Sequence, residues 1–332
     1  LEKAEAGLRL AVEAGDKILE SECRECCAFV WIDLGNDQKG YELCRQALAL
    51  SRETACRKLE FLCFRTMGVI NLERGNLAKA DELLTLALEY YRRKGALRSQ
   101  AVCLYWLTIV QKNEGNYSRA MADATEALGI SRRIGFKTSE AFHLTAIGDI
   151  HLSFGNYERA LEYNKEALGI AERYIGKWSR EECLNTIGFV YAELNDYAKA
   201  LEYFKAAYDY IEHIGHRREE ASCLYNIGFA CLRLGELETA SEFFAKSLNA
   251  ADTAGKKIIQ VRNYNRLGDL YCERGEWERS RQAYERAQAI GGEIGQPNVI
   301  WETYAGLGSL LAAQKQFEPA NANYKKDVGI IE

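Results

Sequence analysis

Apolar residues recur along this chain at helical spacing, and the pattern itself returns every forty residues. In GNYERALEYNKEAL, residues 155–168, the positions Tyr157, Leu161, Asn164, Ala167 and Leu168 fall on one helical face, the stripe of an amphipathic α-helix. NDYAKALEYFKAAY at 195–208 repeats it with Tyr197, Leu201, Phe204, Ala207 and Tyr208, and 115–128 and 235–248 are more divergent copies. No stretch shows the period-two alternation of a strand.

Aligned on that period, the chain falls into columns without a gap. Gly35, Gly75, Gly115, Gly155, Gly235 and Gly275 share one column, with Asn195 and Lys315 as exceptions. A glycine there suits a left-handed residue closing a helix before a tight turn, and Asn is its usual substitute. Five residues on, Gly40, Ala80, Ala120, Ala160, Ala200, Ala240, Ser280 and Ala320 mark a place where only a small side chain fits. A further column, Ala28, Gly68, Thr108, Gly148, Gly188, Gly228, Gly268 and Gly308, lies inside a helix. Glycine costs about 1 kcal/mol there relative to alanine, so its return implies close helix approach. Met67, Leu107, Ile147, Ile187, Ile227, Leu267 and Leu307, one residue earlier, mark the core side.

A second series of glycines, at 15, 95, 135, 215, 255 and 295 and one residue late at Gly176, closes the other helix of each unit. The expected architecture is an all-α solenoid of seventeen helices. Residues 1–14 form a half repeat, followed by eight helix pairs at about 17–54, 57–94, 97–134, 137–174, 177–214, 217–254, 257–294 and 297–332. In the first pair the helices are expected at roughly 17–33 and 37–53. A compact domain of 332 residues would exceed the size at which single cores stop growing, about 250–300 residues. A stack escapes that limit because each unit packs only on its neighbours, so one array over 1–332 is expected. The chain opens on Leu1 and stops at Glu332 inside a helical pattern, which reads as a piece of a longer protein.

Composition narrows the function. The net charge of -5 argues against a nucleic-acid surface, which needs a basic excess to displace counterions. No apolar run approaches the roughly 18 residues of a membrane span, and no signal peptide opens the chain. Of the eleven cysteines, Cys23, Cys63, Cys103, Cys183 and Cys223 share one column. Repeats stacked forty residues apart hold them beyond disulfide reach, so they read as small packing residues in a reducing cytoplasm.

The pattern Leu144, Ile147, Gly148, Gly155, Tyr157, Ala160 and Ala167, with Leu184, Ile187, Gly188, Tyr191, Ala200, Phe204 and Ala207 one repeat on, resembles the tetratricopeptide repeat. The likeness covers essentially the whole chain. Its period of forty rather than thirty-four, and the missing proline after the second helix, resemble the long-helix members in kinesin light chains and bacterial signalling proteins. Arg24, Ala28, Trp31 and Asp37 fit the pattern poorly, as suits a unit near an end. The resemblance implies a right-handed superhelix with first helices inside and an extended peptide or partner domain along the concave wall.

First-helix positions one step round from the core columns are then free to face the groove. Those singled out are Arg65, Tyr105, Thr145, Asn185, Phe189, Tyr225, Asn226, Phe229, Arg262, Asn265, Arg266 and Asp269, with Val69, Ile109 and Asp149 in the same rows. Aromatic and arginine side chains are enriched at binding hot spots, and an amide both donates to and accepts from a peptide backbone. Asn226, Arg262 and Arg266 also resemble three of the five places of a carboxylate clamp that grips chaperone tails. Asn185 and Phe189 stand where that clamp has a lysine and an asparagine, which leaves it incomplete. The expectation kept is broader: Arg262 and Arg266 receive an acidic or C-terminal carboxylate group, unless they pair with Glu273, Glu302 or another neighbour. Asn185 and Asn265 either hold a peptide backbone or bridge adjacent helices, and Phe189 and Phe229 either face the groove or join the core.

Chemistry is sparse. Cys23, Cys26, Cys27 and Cys44 lack a partner set with metal-ligand spacing, and no glycine forms a phosphate loop. His143 sits in the cysteine column, His151 has no neighbouring nucleophile, and His213 and His216 fall at a helix end, where positive charge is favoured. No cofactor, metal or enzymatic activity is expected. The sequence thus reads as a protein-interaction module, the sensor or adaptor part of a larger signalling protein. Its rival is a structural spacer or a scaffold that self-associates through its end helices.

Overall fold

A left-handed residue ends a helix most cheaply where no Cβ stands in the way, and most of the described turns rely on this. Gly75, Gly115, Gly155, Gly235 and Gly275 all have φ between 71° and 79°, while Asn195 and Lys315 adopt 59° and 61° in the same column. At the first of these the Asn76 N–H donates to the Asn71 carbonyl at 2.8 Å and the Gly75 N–H to that of Leu72 at 2.9 Å. That pair of bonds satisfies two orphan carbonyls of the helix end. Gly15, Gly95, Gly135 and Gly255 do the same for the second helices, with Ala55 at φ 49°. The expected turn glycines at 35, 176, 215 and 295 lie outside the described residues.

The computed structural model describes residues 1–34, 36–175, 180–214, 219–294 and 297–331. Helix α1 (Glu2–Glu13) precedes four pairs: α2 (Lys17–Asp33) with α3 (Asp37–Glu53), α4 (Arg57–Glu73) with α5 (Leu77–Arg93), α6 (Leu97–Asn113) with α7 (Tyr117–Arg133), and α8 (Lys137–Ser153) with α9 (Tyr157–Ile170). After α10 (Arg180–Glu193) and α11 (Tyr197–Ile214) come α12 (Glu220–Arg233) with α13 (Leu237–Thr253), α14 (Lys257–Glu273) with α15 (Trp277–Ile294), and α16 (Pro297–Ala313) with α17 (Phe317–Ile331). Among the described residues there is no strand, and the fold is an all-α helical-repeat solenoid. Its contacts divide into two compact units, Leu1–Val190 and Tyr191–Glu332. One irregularity is a π-helical turn at Ala171–Ile175, just where the glycine column slips by one to 176.

Inside each unit the first helices touch one another in a row: α2, α4, α6 and α8 in one, α12, α14 and α16 in the other. Among the described residues the second helices form no such row, so within each unit the first helices make a continuous wall. The small column sits at the crossings within pairs, and Ala80, Ala120, Ala160, Ala200 and Ala240 are all 0% exposed. Volume is traded across each pair. An added Cβ on Gly68 would meet Leu84, on Gly148 Asn164, on Gly228 Phe244, on Gly268 Tyr284 and on Gly308 Tyr324, each under 3.0 Å. Where the first helix carries Thr108 instead, the residue sixteen further on is only Ala124. Close packing at native density leaves no slack for either partner to grow alone.

Gly268 is the strictest case, because Tyr284 is held from both sides. Added Cβ atoms on Gly268 and Gly306 would approach its ring to 2.6 and 2.4 Å, and the ring is 2% exposed. A move away from Gly268 drives it onto Gly306 or out of its hydrogen bond to Asp269. Gly268→Ala should therefore destabilise by about 1–3 kcal/mol, although alanine is the better helix former by about 1 kcal/mol. Urea unfolding of the pair of proteins checks the sign.

Candidate functional site

The wall residues of the first unit are largely engaged with one another. Arg65 on α4 reaches Glu25 of α2 at 3.5 Å, and the Thr66 hydroxyl donates to the same carboxylate. Burial pushes the Glu25 carboxyl up, against the pull of Arg65. Tyr105 lies 5.1 Å from the Trp106 ring, 5.4 Å from Phe142 and 5.9 Å from His143, and burial pushes its phenol well up. Thr145 is buried, donating to the Ala141 carbonyl at 3.1 Å and lying 3.3 Å from the Cys183 sulfur. Asp149 accepts from Lys112 at 2.9 Å and from the Thr186 hydroxyl at 3.0 Å, tying α6, α8 and α10 together. Burial opposes the Lys112 ammonium, but Asp149 outweighs it and holds its pKa above the ordinary value. Asn185 donates to Glu181 at 2.8 Å. Phe189 stands out from this set, with 39% of its surface exposed.

In the second unit the wall opens. Phe229, Leu232 and Arg233 of α12, Arg266, Asp269, Cys272 and Glu273 of α14, Tyr284 of α15 and Ser309 of α16 line a cavity of about 410 Å³. Its size falls in the range of small-ligand and side-chain pockets, about 300–1,000 Å³. Three residues expected at the groove, Phe229, Arg266 and Asp269, meet here. Arg266 is the hub: Nη1 donates to Asp269 at 2.7 Å, Nη2 to Glu302 at 2.8 Å, and Nε to the Tyr225 hydroxyl at 3.4 Å. Its guanidinium also lies 6.0 Å from the Phe229 ring centre. Burial disfavours the Arg266 charge, yet Tyr225, Asp269 and Glu302 hold it firmly cationic. Tyr284 donates to the other Asp269 oxygen at 2.6 Å, and its phenol is pushed up by burial and by that carboxylate.

The remaining expected residues divide by burial. Arg262, one turn before Arg266, is exposed, and among the described residues it forms no ion pair. Asn226 is 5% exposed and Asn265 2%. Asn265 accepts from Thr303 of α16 at 2.9 Å, the bridge between adjacent first helices that was one of its two readings. The column cysteines Cys63, Cys103, Cys183 and Cys223 are 0% exposed, and burial pushes the Cys103 and Cys183 thiols up to about 12. Among the described residues no group of three or more His, Cys, Asp or Glu could hold a metal, and no helix is long and apolar enough to cross a membrane. The His213 side chain and all of His216 lie outside the described residues.

Tyr284, Leu232, Cys272, Arg233 and Ser309 were not expected at the wall, whereas Glu273 was named there only as a partner for Arg262 or Arg266. Tyr284 belongs to a second helix and reaches the wall only because Gly268 and Gly306 carry no side chain. A signal existed: Tyr284 and Tyr324 each follow a packing glycine by sixteen residues, and Gly306 adds a second glycine beside Gly308.

Models of the tetratricopeptide repeat family match residues 180–253 and 143–177. Over these residues the chain matches tetratricopeptide repeats, and the same forty-residue, long-helix pattern runs through the rest of it. No curated protein matches the sequence. Among solved structures, the apo form of the quorum sensor NprR from B. thuringiensis superposes with a TM-score of 0.71 at 15% identity, covering 98% of this chain and 92% of that one. The Rap conjugation gene regulator of the plasmid pLS20, in complex with the Phr* peptide, gives 0.69 at 14% identity, over 86% of this chain and 77% of that one. A signal-transduction ATPase from Pyrococcus horikoshii with a tetratricopeptide repeat sensor gives 0.59 at 22% identity, over 86% of this chain and 45% of that one. At these identities the likeness is one of fold.

Proposed function

We propose that this array is a protein-interaction module that takes an extended peptide, or a peptide-like segment of a partner, against the first-helix wall. It would serve as the sensor or adaptor part of a larger regulatory protein. The observation that carries this reading is the cavity of about 410 Å³ set among α12, α14 and α16, with Phe229, Arg266 and Asp269 in its lining. The named roles of the structural neighbours, a quorum sensor, a peptide-bound regulator and a repeat sensor, support it by analogy of fold. The wiring also alters the expected carboxylate site. Arg266 is already paired with both Asp269 and Glu302, a group with one negative charge in excess, so an acidic group arriving at this end meets Arg262 as the available cation. Nothing in this reading calls for catalysis or a cofactor.

Selection from a random peptide display library against the whole chain tests it. Enriched peptides should bind in fluorescence anisotropy and lose about tenfold in affinity, about 1.4 kcal/mol, to Ser309→Trp. Ser309 is exposed at the cavity, so that variant should melt like the parent. No enrichment over a helical control protein, or equal binding to the blocked variant, would exclude the reading. A spacer or self-assembling scaffold would be indifferent to the block. That rival draws on the exposed Leu10 and Val12 of α1, at 66% and 49%, and sedimentation of the same samples reads it directly.

A further inference from the structure

The charged groups of the cavity wall are paired with one another, while those of its rim are not. Arg266 and Asp269 neutralise one another, Glu302 takes the second face of the guanidinium, and Tyr284 takes the second oxygen of Asp269. What these groups leave for an occupant is the apolar surface of Phe229, Leu232 and Cys272. A charged side chain placed there would lose its water and find partners already engaged, a cost that an apolar one avoids.

Two lining charges are uncommitted. Arg233 and Glu273 are the last residues of α12 and α14, in the same register forty residues apart, and both are exposed. Among the described residues neither forms an ion pair. Arg233 lies with its guanidinium 4.9 Å from the Tyr197 ring centre, a contact that fixes the side chain while leaving its N–H groups free to donate. Neighbouring helix axes are about 8–10 Å apart and an extended chain advances about 3.3 Å per residue. The two rim charges therefore correspond to positions about three residues apart on a peptide crossing both helices.

We infer that this cavity selects a large apolar or aromatic side chain of a peptide whose flanking residues carry opposite charges, an acidic one over Arg233 and a basic one over Glu273. This rests on the peptide-binding reading above and specifies its ligand. Exposed ion pairs act mostly on selectivity and on-rate, so the anchor supplies affinity and the rim supplies order. The charges fix the direction in which the peptide lies.

The same display library, sequenced after selection against the parent and against the charge-swapped variant R233E/E273R, tests it. Against the parent, one order of flanking charges around an apolar anchor should be enriched about tenfold over the reverse order, since each exposed pair changes from attractive to repulsive. The preference should shrink at high salt and invert in the swapped variant, with melting unchanged. An apolar anchor enriched without any order of charges, or an order that survives the swap, overturns the inference and leaves peptide binding standing. Enriched peptides lacking an apolar anchor overturn the anchor. A parent that enriches nothing brings down the underlying reading as well.

Discussion

Phe244→Ala should cost the unit Tyr191–Glu332 about 3–5 kcal/mol, the range for removing a fully buried phenyl ring. Phe244 is 0% exposed, and its ring fills the space that Gly228 leaves open, at 2.8 Å from where a Cβ there would stand. Neither side can close the gap. Gly228 has no side chain to move in, and Ala240 holds the crossing four residues before at 0% exposure. Equilibrium urea unfolding followed by circular dichroism reads the effect. Because repeats pack on their neighbours, with energies close to a one-dimensional sum, the loss should appear as an earlier transition of part of the helical signal. A loss below about 1 kcal/mol would mean that the glycine and the phenylalanine do not share one volume.

Acid should weaken the unit Leu1–Val190 by about 3 kcal/mol between about pH 6.5 and 4, through one residue. His143 is 0% exposed, with its Nε2 3.0 Å from the Ser139 hydroxyl and its Nδ1 without a partner among the described residues. Burial pushes its pKa down to about 4, against about 6.5 for an unperturbed histidine. Between those values the unfolded chain takes up the proton and the folded chain does not. Stability from this group is complete above about pH 6.5 and is lost as pH falls toward 4, with a slope of about 1.4 kcal/mol for each step of one in pH. Stability measured at intervals across that window should fall for the parent and fall less for His143→Gln, whose amide can still meet Ser139. Parallel curves would mean that His143 is protonated without cost.

The fold was almost entirely legible because packing restates itself. A column of small residues eight copies deep leaves a single interpretation for the crossing it marks, and the helix bounds expected for the first pair, 17–33 and 37–53, are those of α2 and α3. The candidate site was harder to read, since periodicity reports which residues are free of the core and not what they touch instead. Thr145, Asn226 and Asn265 occupy wall registers and yet are 1%, 5% and 2% exposed, because successive first helices crowd one another closely enough to bury them. Arg266 and Asp269 lie three residues apart in sequence, a spacing that allows a pair on one helix face, but Glu302 and Tyr284 join them only through the third dimension. Tyr284 shows the limit most clearly. Its position in the second helix reads as core, and the two glycines that pass its hydroxyl through to Asp269 sit on different helices.

The trade of volume across each helix pair bears on how such a chain can change over generations. A side chain sixteen residues after a packing glycine can enlarge only while that glycine persists, so the two positions must drift as a couple. Each repeat, however, keeps its own couple: leucine at 84, asparagine at 164, phenylalanine at 244 and tyrosine at 284. One rung can therefore acquire a polar tip, as Tyr284 has, without rewriting the rungs on either side. New specificities can arise one rung at a time while the ladder stays intact.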